Sequence, residues 1–248
     1  MAFQILRGGV APAAMTASAW TSSATWSVCI RGVKTDEAGD VPPETWRTTM
    51  SNSTATVYFV TGASRGIGLG FAKQLVERPN AVVFAGVRNP AALNKHFPHP
   101  PSNFHVVQCD VTSDDSVSAA VEVVSRTAGR VDVLINNAAI ENGLDIRDTS
   151  VDSFRSVLET NVVGVHRTTR AFMPLVLKSS VKKVINMSSN FGSIALNDRS
   201  ICGAYNTSKA ALNMLTVQYK NEYAKEGVIF VPMHPGDVIL TKLRYTNF

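Results

Sequence analysis

The residues best suited to chemistry are Tyr205 and Lys209, which stand four positions apart in the run YNTSK. On a helix this spacing puts both side chains on one face, so the phenol and the ammonium group become neighbours. A tyrosine with a reference pKa of about 10 is a poor acid–base catalyst at neutral pH, and a nearby cation lowers that pKa. General acid–base catalysis is most effective when the pKa lies near the working pH, so the pair predicts proton transfer by Tyr205.

A second candidate site is the glycine-rich run TGASRGIG at residues 61–68. Gly62 permits a tight turn, while Gly66 and Gly68 let the backbone approach a pyrophosphate closely and let a following helix pack against the sheet. A helix that begins here offers its free N–H groups to an anion. The run follows a predicted strand and opens a predicted helix, which is the context that a dinucleotide-binding turn requires.

Regular elements must position these two sites. Short β-branched runs alternate with longer stretches that carry apolar residues at three- and four-residue spacing. Alternating strands and helices predict an α/β fold, a single domain with a doubly wound parallel sheet and helices on both faces. Pro174 is expected to kink or end the third helix, and Ser113 with Asp114 to cap the second. The predicted strands are 56–60, 81–87, 104–109, 131–136, 181–187 and 228–233, and the predicted helices are 67–77, 113–127, 151–178 and 203–226.

The run TGASRGIG resembles the cofactor turn of the short-chain dehydrogenase/reductase family, and the resemblance spans roughly residues 56–238. CDV at 109–111 adds to it, and by the family's pattern Asp110 would contact the adenine of the cofactor. NNAA at 136–139 is similar to the family's NNAG. The resemblance implies a Rossmann-type fold and a nicotinamide dinucleotide. The cofactor-binding residues that it implies are Gly62, Ser64, Arg65, Gly66, Ile67, Gly68, Arg88, Asp110, Val111, Asn136, Ala138, Tyr205, Lys209, Pro235, Gly236 and Val238.

The end of the second strand favours NADP(H) over NAD(H). An NAD site carries an acidic residue there to bind the ribose 2′-hydroxyl, but the sequence reads AGVRN at 85–89. Arg88 and Arg65 can instead pair with a 2′-phosphate, because a guanidinium group matches phosphate geometry. The alternative, that both arginines are ordinary surface residues, is the weaker interpretation.

The same resemblance implies a catalytic set of Asn161, Ser189, Tyr205 and Lys209. The family's serine stands in S-x-x-G, which selects Ser189 over Ser188, and its hydroxyl would stabilise charge on the substrate oxygen. Asn161 lies in the middle of a predicted helix, where asparagine is unfavourable. The family's asparagine at this position holds a water that feeds protons to the lysine, whereas a local helix bend is the structural alternative. Lys209 would also hold the nicotinamide ribose.

The C-terminal part departs from the family pattern. HPGDV at 234–238 is similar to P-G-x-V-x-T, but the expected threonine position is occupied by Leu240, and Thr241 follows one residue later. Family members continue beyond this point with a substrate lid, a helix and a last strand. We therefore expect residues 50–248 to form a family domain that is short at its C-terminus, with an exposed sheet edge and an incomplete substrate pocket.

Residues 1–49 differ in composition from the rest. They are rich in Ala, Ser and Thr, and no acidic residue occurs from Met1 to Lys34. We expect a disordered or non-native extension, with Met50 as a second candidate for the true start, and a cytoplasmic protein. The alternative is an organelle transit peptide, of which this composition is typical and which would place the protein in mitochondria.

Composition excludes several other classes of protein. The net charge of +5 suits an anionic cofactor but is too small and dispersed for nucleic-acid binding. Without an apolar stretch of about 18 residues or more, no membrane span is expected. Cys29, Cys109 and Cys202 are too widely spaced for a disulfide framework, and His96 and His99 lie in a Pro-rich loop, so no metal site is predicted.

Together these observations predict an NADPH-dependent reductase that converts a ketone or aldehyde to an alcohol. A closer resemblance to small sniffer-type carbonyl reductases and fungal ketoreductases supports a small-molecule carbonyl substrate. The alternative is a catalytically weak nucleotide-binding or interaction module, favoured by the short C-terminus. By family analogy, the helices 151–178 and 203–226 are expected to form a homodimer or homotetramer interface.

Overall fold

The computed structural model of the protein describes residues 55–196 and 201–236. Within these residues six strands form one parallel sheet in the order β3-β2-β1-β4-β5-β6, which is the doubly wound α/β arrangement that the sequence predicts. The direction of winding reverses between β1 and β4. The strands are β1 Thr56–Thr61, β2 Ala81–Val87, β3 Phe104–Gln108, β4 Val133–Asn136, β5 Lys183–Met187 and β6 Ile229–Met233.

Helices connect the strands. The second begins where Ser113 accepts a hydrogen bond from the Ser116 amide, as its predicted capping role requires, and it ends at Gly129 in the left-handed conformation. The helices are α1 Gly66–Val76, α2 Asp114–Ala128, α3 Val151–Leu158, α4 Gly164–Leu177 and α5 Gly203–Glu222, with short 3-10 turns at Pro90–Leu93 and Asn190–Gly192.

Apolar side chains cover both faces of the sheet. Neighbouring residues of one strand point to opposite faces, so Phe59 and Val60 of β1 belong to two separate buried clusters. One cluster packs against α2 and α4, and the ring centres of Phe59 in β1 and Phe172 in α4 lie 4.2 Å apart. The other packs against α1 through Leu75. Burial on both faces explains why the strand sequences are continuous apolar runs.

A buried carboxylate ties the amino ends of the central strands together. Asp132, just before β4, accepts hydrogen bonds from the Val57 amide at 2.7 Å and from the Ser179 hydroxyl. Oδ1, the oxygen that accepts from Ser179, also pairs with Arg130 Nε at 3.0 Å. These contacts lie at the end of the sheet opposite the carboxyl ends, where ligands bind in folds of this kind.

The prediction of a third helix over 151–178 is wrong in one respect, because the helix is not interrupted at Pro174. A wider π-turn at Glu159–Val163 separates α3 from α4, and α4 continues past Pro174 to Leu177. Both Pro174 and the residue four positions earlier, Arg170, are exposed. The carbonyl that proline leaves without a helical partner can therefore be solvated.

The other predicted bounds differ from the observed ones by a few residues at most. The helix predicted at 203–226, for example, ends at Glu222. The predicted extension 1–49, Val238, Leu240 and Thr241 lie outside the described residues. In the described part of the chain, no helix is long and apolar enough to span a bilayer.

Candidate active site

The Tyr205–Lys209 pair lies in the first turns of α5, beside the carboxyl end of β5. The ammonium nitrogen of Lys209 is 5.3 Å from the centre of the Tyr205 ring, as the four-residue spacing predicts. It donates a hydrogen bond of 2.6 Å to the carbonyl oxygen of Met187, the last residue of β5. Lys209 is buried, and burial lowers its pKa to about 8, close to physiological pH.

Asn161 stands in the π-turn, which confirms the local helix distortion given as the structural alternative, and its side chain is buried. Its role in holding a water for Lys209 stays a prediction. The Oδ1 atom of Asn161 accepts a hydrogen bond from the Ile140 amide at 2.8 Å, and its Nδ2 donates to the Ile140 carbonyl at 2.9 Å. The same Nδ2 donates to the Ser208 hydroxyl at 3.0 Å. Asn161 therefore joins the loop after β4 to the turn of α5 that carries Lys209, and π-turns are frequent at such functional positions.

The two serines after β5 have different surroundings. Ser188 is buried and donates its hydroxyl to Asn213 Oδ1 at 2.6 Å, which occupies it in a structural contact. Ser189 is partly exposed; its hydroxyl accepts a hydrogen bond from the Phe191 amide at 3.2 Å and donates to the exposed Asn190 Oδ1 at 3.2 Å. Ser189 is thus the serine that a substrate can reach, and it remains the candidate oxyanion donor.

The glycine-rich turn follows β1 and leads directly into α1. Gly62 and Gly66 have φ angles of +66° and +56°, a region that favours glycine. A Cβ atom on Gly68 would lie 2.4 Å from both the Gly62 carbonyl oxygen and the Asn137 side-chain nitrogen. Gly68 is therefore required by the close approach of the Gly62 backbone and the Asn137 side chain, and Gly62 and Gly66 are favoured by their φ angles. The turn also contains Ser64, Arg65 and Ile67, all at least partly exposed.

The loop after β4 is tied to this turn from the other side. The Thr61 hydroxyl accepts hydrogen bonds from the amides of Asn137 at 2.9 Å and Ala138 at 3.0 Å. The Asn137 side chain donates to the carbonyl oxygens of Thr61 and Gly62 at 2.9 and 3.2 Å. Asn136 points into the core instead, where it donates to Thr169 and Asn186. The first asparagine of NNAA supports the sheet, and the second shapes the turn.

Charged residues surround the carboxyl ends of β2 and β3. Arg88 directly follows β2 and Asp110 follows β3 by two residues, with Val111 buried next to it. Burial acts to raise the pKa of Asp110, but hydrogen bonds from Thr112 and the positive charges of Arg88 and Arg167 outweigh it and hold the pKa below its usual value. Asp110 is therefore an anion close to the Arg88 cation at the edge of the predicted cofactor site.

The described residues fit a dinucleotide at this edge. Helix α1 has no acidic residue in its first turn and no side-chain cap at Arg65, so its first N–H groups are available to a pyrophosphate. Arg65 is exposed on the turn after β1, and Arg88 is exposed after the adjacent strand β2. Pro235 and Gly236 follow β6, while Val238 lies outside the described residues. Within the described part of the chain, no group of three or more His, Cys, Asp or Glu side chains could hold a metal ion.

Four contributors to this site were not selected from the sequence. Asn137 could have been found, because it stands inside the NNAA motif. Ser208 lies within YNTSK, yet a small polar residue there has no special signal. The Met187 carbonyl is a backbone atom, and nothing in the sequence indicates that it accepts a hydrogen bond from Lys209. The fourth is Arg167, which donates hydrogen bonds to Asp114, the Val111 carbonyl and Glu159.

A doubly wound sheet, a glycine turn at its switch point and a Tyr–Lys pair define a dinucleotide-dependent oxidoreductase. The profile of the short chain dehydrogenase family matches residues 56–247, and the chain belongs to that family. Family members use NAD(H) or NADP(H).

Relatives in fungi support this assignment. The chain is 36% identical over 190 residues to the oxidoreductase C663.08c of Schizosaccharomyces pombe, and the match covers 75% of each protein. It is also 36% identical over 201 residues to the short-chain dehydrogenase/reductase iacC of Pestalotiopsis fici, covering 74% of each.

Solved structures of carbonyl reductases have the same fold. An NADPH-bound carbonyl reductase from chicken fatty liver is 32% identical, with a TM-score of 0.67 over 73% of this chain and 76% of that one. The carbonyl reductase Sniffer of Drosophila melanogaster is 28% identical, with a TM-score of 0.70 over 73% of this chain and 81% of that one.

Proposed function

We propose that the protein reduces a ketone or aldehyde to an alcohol with NADPH as the electron donor. The observation that carries this proposal is the position of the buried Lys209 ammonium 5.3 Å from the Tyr205 ring centre, at the end of the sheet where the glycine turn also lies. A positive charge beside a phenol favours loss of its proton, so Tyr205 is equipped to donate a proton. Similarity to carbonyl reductases supports the substrate class.

The residues divide the reaction between them. Bound NADPH supplies the hydride that the carbonyl carbon accepts. Tyr205 donates its proton to the carbonyl oxygen as charge develops there, and Ser189 donates a hydrogen bond to the same oxygen. Lys209 stabilises the resulting phenolate and returns a proton to it. Asn161 holds the loop that contains Ile140 against α5. This contact keeps the route by which protons reach Lys209 ordered.

The choice of NADPH over NADH rests on charge. Two exposed arginines, Arg65 and Arg88, follow adjacent strands, and no acidic side chain stands in the AGVRN segment to repel a 2′-phosphate. A guanidinium group forms strong charge-assisted hydrogen bonds with phosphate.

Replacement of Tyr205 by phenylalanine tests the catalytic role. We expect Tyr205→Phe to lower the rate of carbonyl reduction about 100-fold or more, because the ring stays and only the proton donor is lost. The measurement follows NADPH absorbance in the full-length protein with a panel of quinones, aromatic ketones and aldehydes. Tyr223→Phe, at the other end of α5, is the matched control and should retain full activity.

A folded wild-type protein that binds NADPH but reduces none of these carbonyls would contradict the enzymatic proposal. It would favour the alternative of a nucleotide-binding module. Turnover that survives in Tyr205→Phe would instead contradict the role of the phenol.

Replacement of Arg88 by alanine tests the cofactor preference. The ratio of kcat/KM for NADPH to that for NADH should fall about tenfold, because one charge-assisted contact with the 2′-phosphate is lost. The control Arg78→Ala removes an exposed arginine just beyond the C-terminal end of α1, away from the turn, and should leave the ratio unchanged. An unchanged ratio in Arg88→Ala would remove Arg88 from the 2′-phosphate site.

A further inference from the structure

We propose that Arg167 is a positioning residue that couples the adenine side of the cofactor site to the Asn161 segment beside Lys209. The inference rests on the proposed function, in that it takes Asp110 as the adenine contact and Val111 as its neighbour in the cofactor site. It assigns to a helix surface arginine a role between two parts of the active site that are distant in sequence.

Arg167 uses all three nitrogens of its guanidinium group. Its Nε donates to Asp114 Oδ1 at 2.8 Å, in the first turn of α2. One terminal nitrogen donates to the Val111 carbonyl oxygen at 2.7 Å, and the other donates to Glu159 Oε1 at 3.0 Å. A planar, forked cation is suited to holding three acceptors in fixed directions, which a lysine cannot do.

The first part of the coupling runs from Arg167 to Val111 and Asp110, on the adenine side of the cofactor site. Val111 is buried against the start of α4, where a Cβ atom on Gly164 would lie 3.0 Å from the Val111 side chain and 3.1 Å from its carbonyl oxygen. The positive charge of Arg167 also helps to hold the pKa of Asp110 below its usual value. Arg167 therefore fixes both the path of this loop and the charge of its carboxylate.

The second part of the coupling runs from Arg167 through Glu159 to Asn161, which lies on the proposed proton route to Lys209. Glu159 is the first residue of the π-turn, and Asn161 stands two residues later. Asn161 is fully buried and holds both polar groups of the Ile140 backbone together with the Ser208 hydroxyl. A shift of Val111 that moves the Arg167 guanidinium also pulls on its partner Glu159. The π-turn that begins at Glu159 then moves, and with it the orientation of Asn161.

The exposure of the partners separates this contact from an ordinary surface ion pair. The Arg167 side chain is only 15% exposed, whereas its carboxylate partners Asp114 and Glu159 are 84% and 41% exposed. Removal of the arginine leaves both carboxylates in contact with water, so the fold should survive. What is lost is the order of the two segments.

The first measurement is binding of adenosine 2′,5′-bisphosphate, the adenine half of NADPH, by calorimetry. Arg167→Met should weaken this binding about tenfold, since a charge-assisted contact that shapes the loop is lost. Arg167→Lys, which keeps the charge without the fork, should rescue it only in part. The control Arg155→Met removes an exposed arginine paired with Asp152 and should bind as the wild type does.

The second measurement detects coupling directly, by hydrogen–deuterium exchange of the peptide that contains Ile140. Adenosine 2′,5′-bisphosphate should slow exchange of this peptide in the wild type, because its binding orders the π-turn through Arg167. In Arg167→Met saturated with the same ligand, most of this protection should disappear. A purely structural role would lower thermal stability but would leave the ligand-dependent protection intact.

The outcomes distinguish the two levels of the proposal. A wild-type protein that does not bind adenosine 2′,5′-bisphosphate would overturn the proposed NADPH site and this inference with it. Normal binding and full Ile140 protection in Arg167→Met, equal to those of Arg155→Met, would overturn the coupling role alone and leave the proposed reductase function untouched.

Discussion

At the scale of single residues, the hydrogen-bond partners of each side chain decide which residues are positioned for chemistry. Ser188 is buried and donates to Asn213, whereas Ser189 donates to the exposed Asn190 side chain, an acceptor that a substrate oxygen can replace. Lys209 is directed by one backbone carbonyl, that of Met187, into the space beside Tyr205. The catalytic geometry is therefore set by neighbours that do no chemistry themselves.

Lys209 leads to a prediction about pH. Burial lowers its pKa to about 8, so the ammonium form dominates below this value and is lost as the pH rises through it. We expect the single-turnover rate of carbonyl reduction to decline from about pH 8 upwards, because the neutral amine neither stabilises the Tyr205 phenolate nor returns a proton to it. The rate is measured from pH 6 to pH 10 with NADPH saturating at each pH.

A second variant checks the source of this decline. Lys209→Arg keeps a positive charge throughout the pH range, so whatever activity remains should not fall near pH 8. A wild-type profile that stays level well above pH 8, or the same decline in Lys209→Arg, would contradict the assignment to Lys209.

At the scale of elements, the site depends on how tightly backbone segments approach one another. The turn after β1, the first turns of α1 and the Asn137 side chain meet around Gly68, where even a Cβ atom has no room. Two residues later, a Cβ atom on Gly70 would meet nothing within 4 Å. Gly68 and Gly70 of the same helix therefore have opposite requirements.

This contrast gives a matched pair of substitutions. Gly68→Ala should weaken NADPH binding at least about tenfold and destabilise the fold by about 1–3 kcal/mol, because the clash is with the Gly62 backbone, which cannot rotate away. Gly70→Ala should leave binding unchanged and increase the free energy of unfolding by up to about 1 kcal/mol, since alanine favours helix. Urea unfolding and NADPH titration measure both quantities. Equal behaviour of the two variants would contradict the close approach at Gly68.

At the scale of the whole molecule, the two ends of the sheet have different tasks. The carboxyl ends carry the glycine turn, Asp110, Asn161 and the Tyr–Lys pair. The amino end of β4 carries the Asp132 contacts, which join β1, β4 and the segment that enters β5. Stability and cofactor binding should therefore respond to different substitutions.

Asp132→Ala tests this separation. It should lower the free energy of unfolding by about 3 kcal/mol, because the Val57 amide and the Ser179 hydroxyl lose their acceptor in the interior and Arg130 loses its carboxylate partner. The dissociation constant of NADPH should not change. Asp152→Ala, from the exposed pair with Arg155, is the control and should cost less than about 1 kcal/mol. A change in NADPH affinity in Asp132→Ala, with the fold intact, would contradict the separation.

Local patterns in the sequence predict much of this molecule. The six strands, the parallel sheet and the family follow from apolar periodicity and from two short motifs, because those signals depend on residues close together in the chain. The Asp132 contacts, the Lys209–Met187 hydrogen bond and the Arg167 contacts join residues far apart in sequence. Their geometry depends on tertiary packing, which no local pattern contains.

The π-turn shows the same limit in another way. Apolar spacing runs through residues 151–178 as if one helix were present, and the sequence predicts an interruption at Pro174. The structure has its irregular turn at Glu159–Val163 and a regular helix through Pro174. Propensity indicated only that Asn161 is unfavourable in a helix interior. The hydrogen bonds from Ile140 and to Ser208, which offset that cost, come from other elements.

The π-turn also restricts how this region can change in length. A π-turn closes i→i+5 hydrogen bonds and so holds about one residue more than the same stretch of α-helix. Deletion of one residue between Glu159 and Val163 would therefore let α3 run into α4 as one regular helix, with Val157 still on the core. The bulge that directs Asn161 towards Ile140 and Ser208 would be lost, so a single-residue deletion here should impair the site more than the fold.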